Sequence, residues 1–215
     1  MKSNHSFDLL SCFPASAEPG KAFTSVTYSN LYFREPESRA DQTRMMSIVT
    51  TGAETGYYVD VFRSRKEKGG DKMHDYFYHN LGQTLTLTAA DGSDLNLQPT
   101  EELAFAGAHL YAYSYLYDKK VAATNKDVKA TFTIDMKDKD GDDIYMNLWM
   151  KGEPDREVFT ALAPMTEGLS RTPNMPYNIK EQPTLTFVAR QHGEAWNRPF
   201  VSIYEPSTKK ESGSL

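Results

Sequence analysis

Residues 56–80, GYYVDVFRSRKEKGGDKMHDYFYHN, contain two β-branched and aromatic runs joined by a charged loop with Gly69-Gly70 at its centre. Such runs are typical of β-strands, and a short loop containing glycine between them indicates a hairpin. The second run, His74 to His79, also carries imidazole, carboxylate and phenol groups more densely than any other part of the chain. These groups can transfer protons or hold a metal, so the segment guides the functional prediction as well as the fold prediction.

Outside this segment the dominant period of the sequence is also two. Further strand-like runs lie at residues 22–29, 45–51, 83–88, 129–135, 144–150, 157–163, 184–190 and 200–204. Asp140-Gly141, between two of these runs, is the strongest hairpin signal in the chain. Roughly ten short strands separated by turn signals predict an all-β fold, an antiparallel β-sandwich with one hydrophobic core and little helix.

Three segments are less regular. Residues 100–109 begin with Thr100-Glu101-Glu102, which suits either the start of a short helix or a loop. Residues 111–117 place tyrosines at period two and predict a strand with a row of phenols on one face. Residues 164–183 are rich in proline and predict a long irregular loop.

The domain organisation predicted from these patterns has three parts. Residues 1–20 form an N-terminal segment or linker, residues 21–206 form the sandwich, and residues 207–215 form a polar tail. The chain has 215 residues, of which 39% are hydrophobic, which suits one globular domain or one and part of a second.

The overall charge argues against one class of partner. A net charge of −5 is the reverse of the basic surface that nucleic-acid-binding proteins usually carry. It does not exclude an anionic sugar, because a local basic site can bind one. The single cysteine, Cys12, rules out an internal disulfide. No apolar run reaches about 18 residues, so no membrane span is predicted, and no signal-peptide pattern reveals the compartment.

The segment at 56–80 resembles the β-sandwich that follows the helical toroid in the heparinase II/III family of polysaccharide lyases. The similarity rests on the strand at 58–63, the Gly-Gly loop and the motif from His74 to His79. Three further segments agree in order: Gln42-Thr43-Arg44, LWMKGEPDREVFTALAP at 148–164 and ARQHGEAWNRPFVSIYEP at 189–206. The resemblance covers residues 40–206 and implies that the chain belongs to a longer parent with a toroid upstream.

The resemblance also implies a reaction. Such lyases remove the proton next to a uronate carboxyl group and eliminate the 4-linked sugar, with a tyrosine or histidine as base or acid. Tyr76 best matches a tyrosine that the sandwich lends to the cleft in some members, and His74 would share its face. The parent would degrade an acidic polysaccharide, such as a glycosaminoglycan or alginate, in the periplasm or outside the cell. Without the toroid, this chain should be inactive alone.

A structural zinc ion is a further implication, with a poorer match. Related lyases hold a metal with one aspartate and two histidines, and Asp60 matches the aspartate. The histidines would fall near Thr43 and Ala90, where none is present, although His79 could substitute for one. A zinc site normally needs three or four protein ligands, so an alternative interpretation pairs Asp60 with Arg44 or Arg63. The acidic run at 138–143 fails the EF-hand pattern and predicts a solvated turn.

The remaining candidates are for substrate binding. Trp196 and Arg198 share a polar segment, where an indole and a guanidinium could stack a sugar, and His79 could assist. Alternatively, Trp196 anchors its loop and the residues from His74 to His79 form an ordinary strand with an aromatic core face. In that case the chain is a non-catalytic carbohydrate-binding or structural sandwich. The isolated histidines His109 and His192 are interpreted as structural.

Overall fold

The computed structural model of the chain describes residues 6–14, 25–104, 108–136, 142–166 and 181–208, with side chains omitted at 108–110. Its strands are β1 Asp8–Phe13, β2 Val26–Glu35, β3 Ala40–Thr50, β4 Gly56–Lys66, β5 Met73–Asn80, β6 Thr84–Ala89, β7 Gln98–Pro99, β8 Tyr117–Ala123, β9 Val128–Ile134, β10 Ile144–Met150, β11 Arg156–Ala163, β12 Thr184–His192 and β13 Ala195–Ser207. One 3-10 helix, η1, spans Ala108–Tyr115. The strands form two antiparallel sheets, of eight and five strands. The predicted all-β antiparallel sandwich is confirmed.

The chain divides into two compact units. The first comprises residues 1–74, 191–205 and 213–215, and the second comprises 75–190 and 206–212, as far as the structure describes them. The sequence predicted a single domain over 21–206, and those boundaries stay a prediction. Six residues of the segment predicted as a linker form β1, which pairs with β2.

In the first unit, β1, β2, β3, β4 and β13 are neighbours in that order. The pairing of β3 with β4 runs without a break from Ala40 opposite Lys66 to Thr50 opposite Gly56, as the period-two pattern requires. At the edge of the sheet, β1 carries Cys12 opposite Ser29. Between Ala195 and Phe200 the register of β13 shifts against β4, which displaces Trp196 and its neighbours from regular pairing.

The second unit is a sandwich of two layers. One layer is β10-β9-β6 and the other is β5-β12-β11-β8-β7. Tyr78 of β5 meets Phe132 of β9 with ring centroids 5.3 Å apart, which joins the inner faces. The outer face of the second layer is covered too, because Phe159 and Val188 pack there with Leu103. β12 is therefore buried along almost its whole length, as its apolar run Leu185 to Ala189 suggests.

Two sequence predictions in this unit turn out differently. Residues 111–117 are not a strand from the start: η1 occupies them through Tyr115, and β8 begins only at Tyr117. The row of phenols on one face is therefore wrong, because a 3-10 helix turns every three residues. Tyr113 packs inward while Tyr111 and Tyr115 are exposed.

Other predictions fall partly outside the described residues. The Asp140-Gly141 turn is among them, although β9 and β10 on either side of it pair in full register from Ile134 opposite Ile144. Most of the proline-rich segment and the tail beyond residue 208 also lie outside the description. In the described part of the chain, no helix has the length and apolar character needed to cross a bilayer.

Candidate functional site

Strand β5 directs its side chains alternately to two covered faces, as the period of a strand requires. Tyr76 is 2% exposed, and Tyr78 packs on Phe132 with its pKa raised to about 12 by burial. Phe77 points to the opposite face, where it is partly buried against Phe159 and its neighbours. Tyr76 and Phe77 thus both pack against other residues, on opposite faces of β5, because the sheet is covered on both sides.

His74 lies at the start of β5, in the first unit, and is held by a carboxylate. Its Nε2 is 2.7 Å from Asp71 Oδ1, and that oxygen also accepts the backbone N–H of Lys66 at 2.6 Å. Burial would raise the pKa of Asp71, but the hydrogen bonds from Lys66 and His74 outweigh it and lower the pKa. The Asp71 carboxylate therefore orients the imidazole.

The outer face of the five-stranded layer carries a charge network that the sequence did not predict. Arg190 of β12 donates from Nε and Nη2 to the two oxygens of Asp75, at 2.7 and 2.9 Å, and from Nη1 to Glu102 at 2.9 Å. Tyr113 of η1 donates to Asp75 at 2.7 Å. Desolvation opposes the charge of Arg190, yet Asp75 and Glu102 raise its pKa above the usual value. The network ties residues 102 and 113 to the sheet, and we call it the Arg190 clamp.

His79 lies further along the same face of β5. Its Nδ1 is 2.8 Å from Thr186 Oγ1, and its ring stacks on Phe77 with centroids 5.9 Å apart. Burial lowers the pKa of His79 below 6.5, so the neutral imidazole is favoured. The structure thus places His79 in the second unit, while Trp196 and Arg198 lie in the first.

Asp60 is 1% exposed in the centre of β4. Arg44 of β3 donates to it from Nε at 3.0 Å and from Nη2 at 2.5 Å. Of the two arginines suggested as partners, Arg44 makes the pair, and Arg63 instead donates to the carbonyl oxygen of Trp196. Within the described residues no group of three histidines, cysteines or acids converges. The surroundings of Asp60 therefore do not fit the zinc site that the family resemblance implies.

Trp196 and Arg198 lie near the start of β13, where its register against β4 shifts. The guanidinium carbon of Arg65 is 4.1 Å from the centroid of the Trp196 ring. Glu194 accepts the backbone N–H groups of Trp196 at 2.6 Å and of Asn197 at 2.9 Å. Burial opposes ionisation of Glu194, but these hydrogen bonds lower its pKa. In the sequence, Glu194 two residues before Trp196 could have indicated this turn. The contact of Arg65 with Trp196 could be found only from the pairing of β4 with β13.

Comparison with known proteins finds a relative among the polysaccharide lyases. No protein-family profile matches the chain. One relative is the endo-acting ulvan lyase of Formosa agariphila, and this chain is 33% identical to it over 189 residues. That alignment covers 86% of this chain but 22% of the relative, so the chain spans about a fifth of that protein's length. The resemblance to the heparinase II/III family stays a prediction.

Proposed function

We propose that this chain is the β-sandwich part of a polysaccharide lyase that cleaves an acidic polysaccharide by β-elimination. The observation that carries the proposal is the 33% identity to an ulvan lyase across 86% of the chain. The motif order that resembles the heparinase II/III family supports the same function. On that resemblance, a helical toroid in a longer parent supplies the rest of the cleft.

The chemistry of elimination explains why this part should not act alone. The reaction needs a positive group to neutralise the uronate carboxylate, a base for the adjacent proton and an acid for the leaving oxygen. Tyr76 is buried, and His74 is already hydrogen-bonded to Asp71. Their proposed roles as acid or base therefore require the parent to open access to them.

A non-catalytic sandwich, for binding carbohydrate or for structure alone, is the second candidate. The burial of Tyr76 favours it, because a tyrosine that fills the core needs no catalytic explanation. The two functions predict different effects on turnover when the phenol hydroxyl of Tyr76 is removed. In the parent lyase, Tyr76→Phe should lower turnover by roughly a hundredfold if the phenol transfers a proton, and should leave turnover unchanged if it is structural.

The first experiment uses the chain by itself. It is incubated with ulvan, alginate and a glycosaminoglycan, and the ultraviolet absorbance of the unsaturated product is followed against a boiled control. We expect no product from the chain alone and retention of the chain in gels that contain these polysaccharides. Product formation would overturn the claim that the chain is incomplete, and absence of retention in every gel would favour the structural alternative.

A further inference from the structure

We propose that Trp196 and Arg65 form a binding subsite for an anionic sugar unit, a uronate or a sulfated residue. The ligand class rests on the proposed function, but the subsite is argued from the first unit alone. We call it the Trp196 subsite; it consists of the β12–β13 connection, the start of β13, and the end of β4 with the loop that follows.

The backbone that carries Trp196 is fixed by its own contacts. Gly193 has a φ of +79°, a conformation that favours glycine, and its N–H donates to the carbonyl oxygen of Lys72 at 2.9 Å. Glu194 accepts two backbone N–H groups, and Arg198 donates to the carbonyl oxygen of His192 at 3.1 Å. Arg198, predicted to bind substrate, thus braces the loop. A loop held in this way loses little conformational entropy when it binds a ligand.

The indole and a cation are presented together. The Trp196 ring is partly exposed, and the Arg65 guanidinium lies over it with 48% of its side chain exposed. The carboxylate of Asp41 is 4.0 Å from Arg65 Nε, which is beyond hydrogen-bonding distance. Arg65 therefore keeps donors for a ligand carboxylate or sulfate, and arginine suits such groups because it can bind them in a bidentate way. An aromatic ring beside it offers an apolar surface to a pyranose.

The segment that contains Arg65 has a net positive charge, opposite to that of the whole chain, while Asp41 and Glu194 bring two carboxylates to the same subsite. Residues 63–72 hold five basic and two acidic residues, in a chain with a net charge of −5. The two acids are engaged, because Glu67 accepts from Arg34 and Asp71 from Lys66 and His74. The lysines 66, 68 and 72 are all exposed. A local cationic surface on an acidic protein is complementary to a polyanion and would concentrate one there.

The test measures binding of heparin oligosaccharide, alginate oligosaccharide and neutral dextran to the full chain and its variants. Trp196→Ala and Arg65→Gln should each weaken binding of the two acidic probes by about tenfold, the scale of one partly exposed cation–aromatic contact. Arg65→Gln should also reduce the dependence of affinity on salt. Dextran should bind weakly or not at all to every variant.

The second unit supplies a matched control. Lys129 lies 5.1 Å from the Trp149 ring, so Lys129→Gln removes an equal charge from a similar pair that the proposal does not use. This variant should bind as the unaltered chain does. Because Trp149 and Trp196 are the chain's two tryptophans, the fluorescence change on binding should persist in Trp149→Phe and vanish in Trp196→Phe.

The outcomes separate the two proposals. Acidic probes that bind Trp196→Ala and Arg65→Gln as tightly as the unaltered chain would overturn the Trp196 subsite and leave the proposed lyase function standing. Equal losses in Lys129→Gln would overturn it as well, since they would indicate general charge attraction. If the unaltered chain binds neither acidic probe, the subsite is wrong, while Tyr76→Phe kinetics in the parent still test the elimination chemistry.

Discussion

The Arg190 clamp allows a stability prediction with an internal comparison. Asp75 and Arg190 are both 8% exposed, whereas the other acid that Arg190 contacts, Glu102, is 47% exposed. Replacing Asp75 by asparagine leaves a buried guanidinium with one solvated partner. Loss of one member of a buried pair costs roughly 3–5 kcal/mol, whereas an exposed pair contributes about 0–1 kcal/mol. Asp75→Asn should therefore destabilise the second unit several times more than Glu102→Gln does.

A double variant tests the reason for the cost. In Asp75→Asn with Arg190→Met, neither charge is left buried, and the methionine can still pack over Phe159, which Arg190 now faces at 5.2 Å. Replacement of a whole buried pair by apolar groups is often close to neutral. The double variant should thus recover most of the stability lost in Asp75→Asn alone, a non-additivity that only directly coupled side chains produce.

The assay has to report the second unit, and the tryptophans make this possible. In a Trp196→Phe background, the fluorescence comes from Trp149 alone, which lies in β10 of that unit. Urea unfolding followed by this signal gives the free energy of unfolding for each variant. Equal costs for Asp75→Asn and Glu102→Gln, or a double variant as unstable as the single one, would refute the assignment of the clamp as a buried ion pair.

Four further predictions concern other sites. Gly152→Ala should cost roughly 1–3 kcal/mol by overpacking, because a Cβ there would lie 2.3 Å from the carbonyl oxygen of Asn125; an unchanged urea midpoint would contradict this. Burial lowers the pKa of His79 below 6.5, so the unfolded chain takes up the proton first. Stability should be full above pH 6.5 and fall as the pH drops through the folded pKa, and His79→Gln should flatten that decline. Arg44→Met should destabilise the first unit by roughly 1.5–3 kcal/mol, since it removes the hydrogen bonds that Arg44 donates to the buried Asp60 carboxylate; adding Asp60→Asn should restore part of the loss in urea unfolding. Elemental analysis should find no stoichiometric zinc that disappears in Asp60→Ala.

The strands were predictable because their signal is local. The two runs predicted within residues 56–80 correspond to β4 and β5, and the alternation of side chains along β5 follows from its period. The spacing of the tyrosines after residue 110 led to a wrong prediction of a strand. Tyrosines at period two can also lie in a 3-10 helix, which here directs Tyr113 inward. Contacts with the rest of the unit outweighed that local pattern.

The sites were less predictable because they join distant residues. Arg190 and Asp75 are 115 positions apart, and Arg63 reaches the carbonyl oxygen of Trp196 across 133. The burial of Tyr76 could not be inferred from β5 itself, since it depends on a second layer of strands. For Asp60, pairing with an arginine was a stated alternative to a metal, and Arg44 of the preceding strand is the partner that the structure shows.

Cys12 allows the edge strand of the sheet to be labelled with a thiol reagent without introducing a new cysteine. It is the single thiol of the chain, partly buried in β1 and opposite Ser29 of β2. A maleimide dye would therefore attach at one place, on the edge strand β1, and its fluorescence would report changes in the surroundings of that strand. The native sequence thus already contains a single-site probe of the edge strand, which could be followed while a polysaccharide is added elsewhere on the molecule.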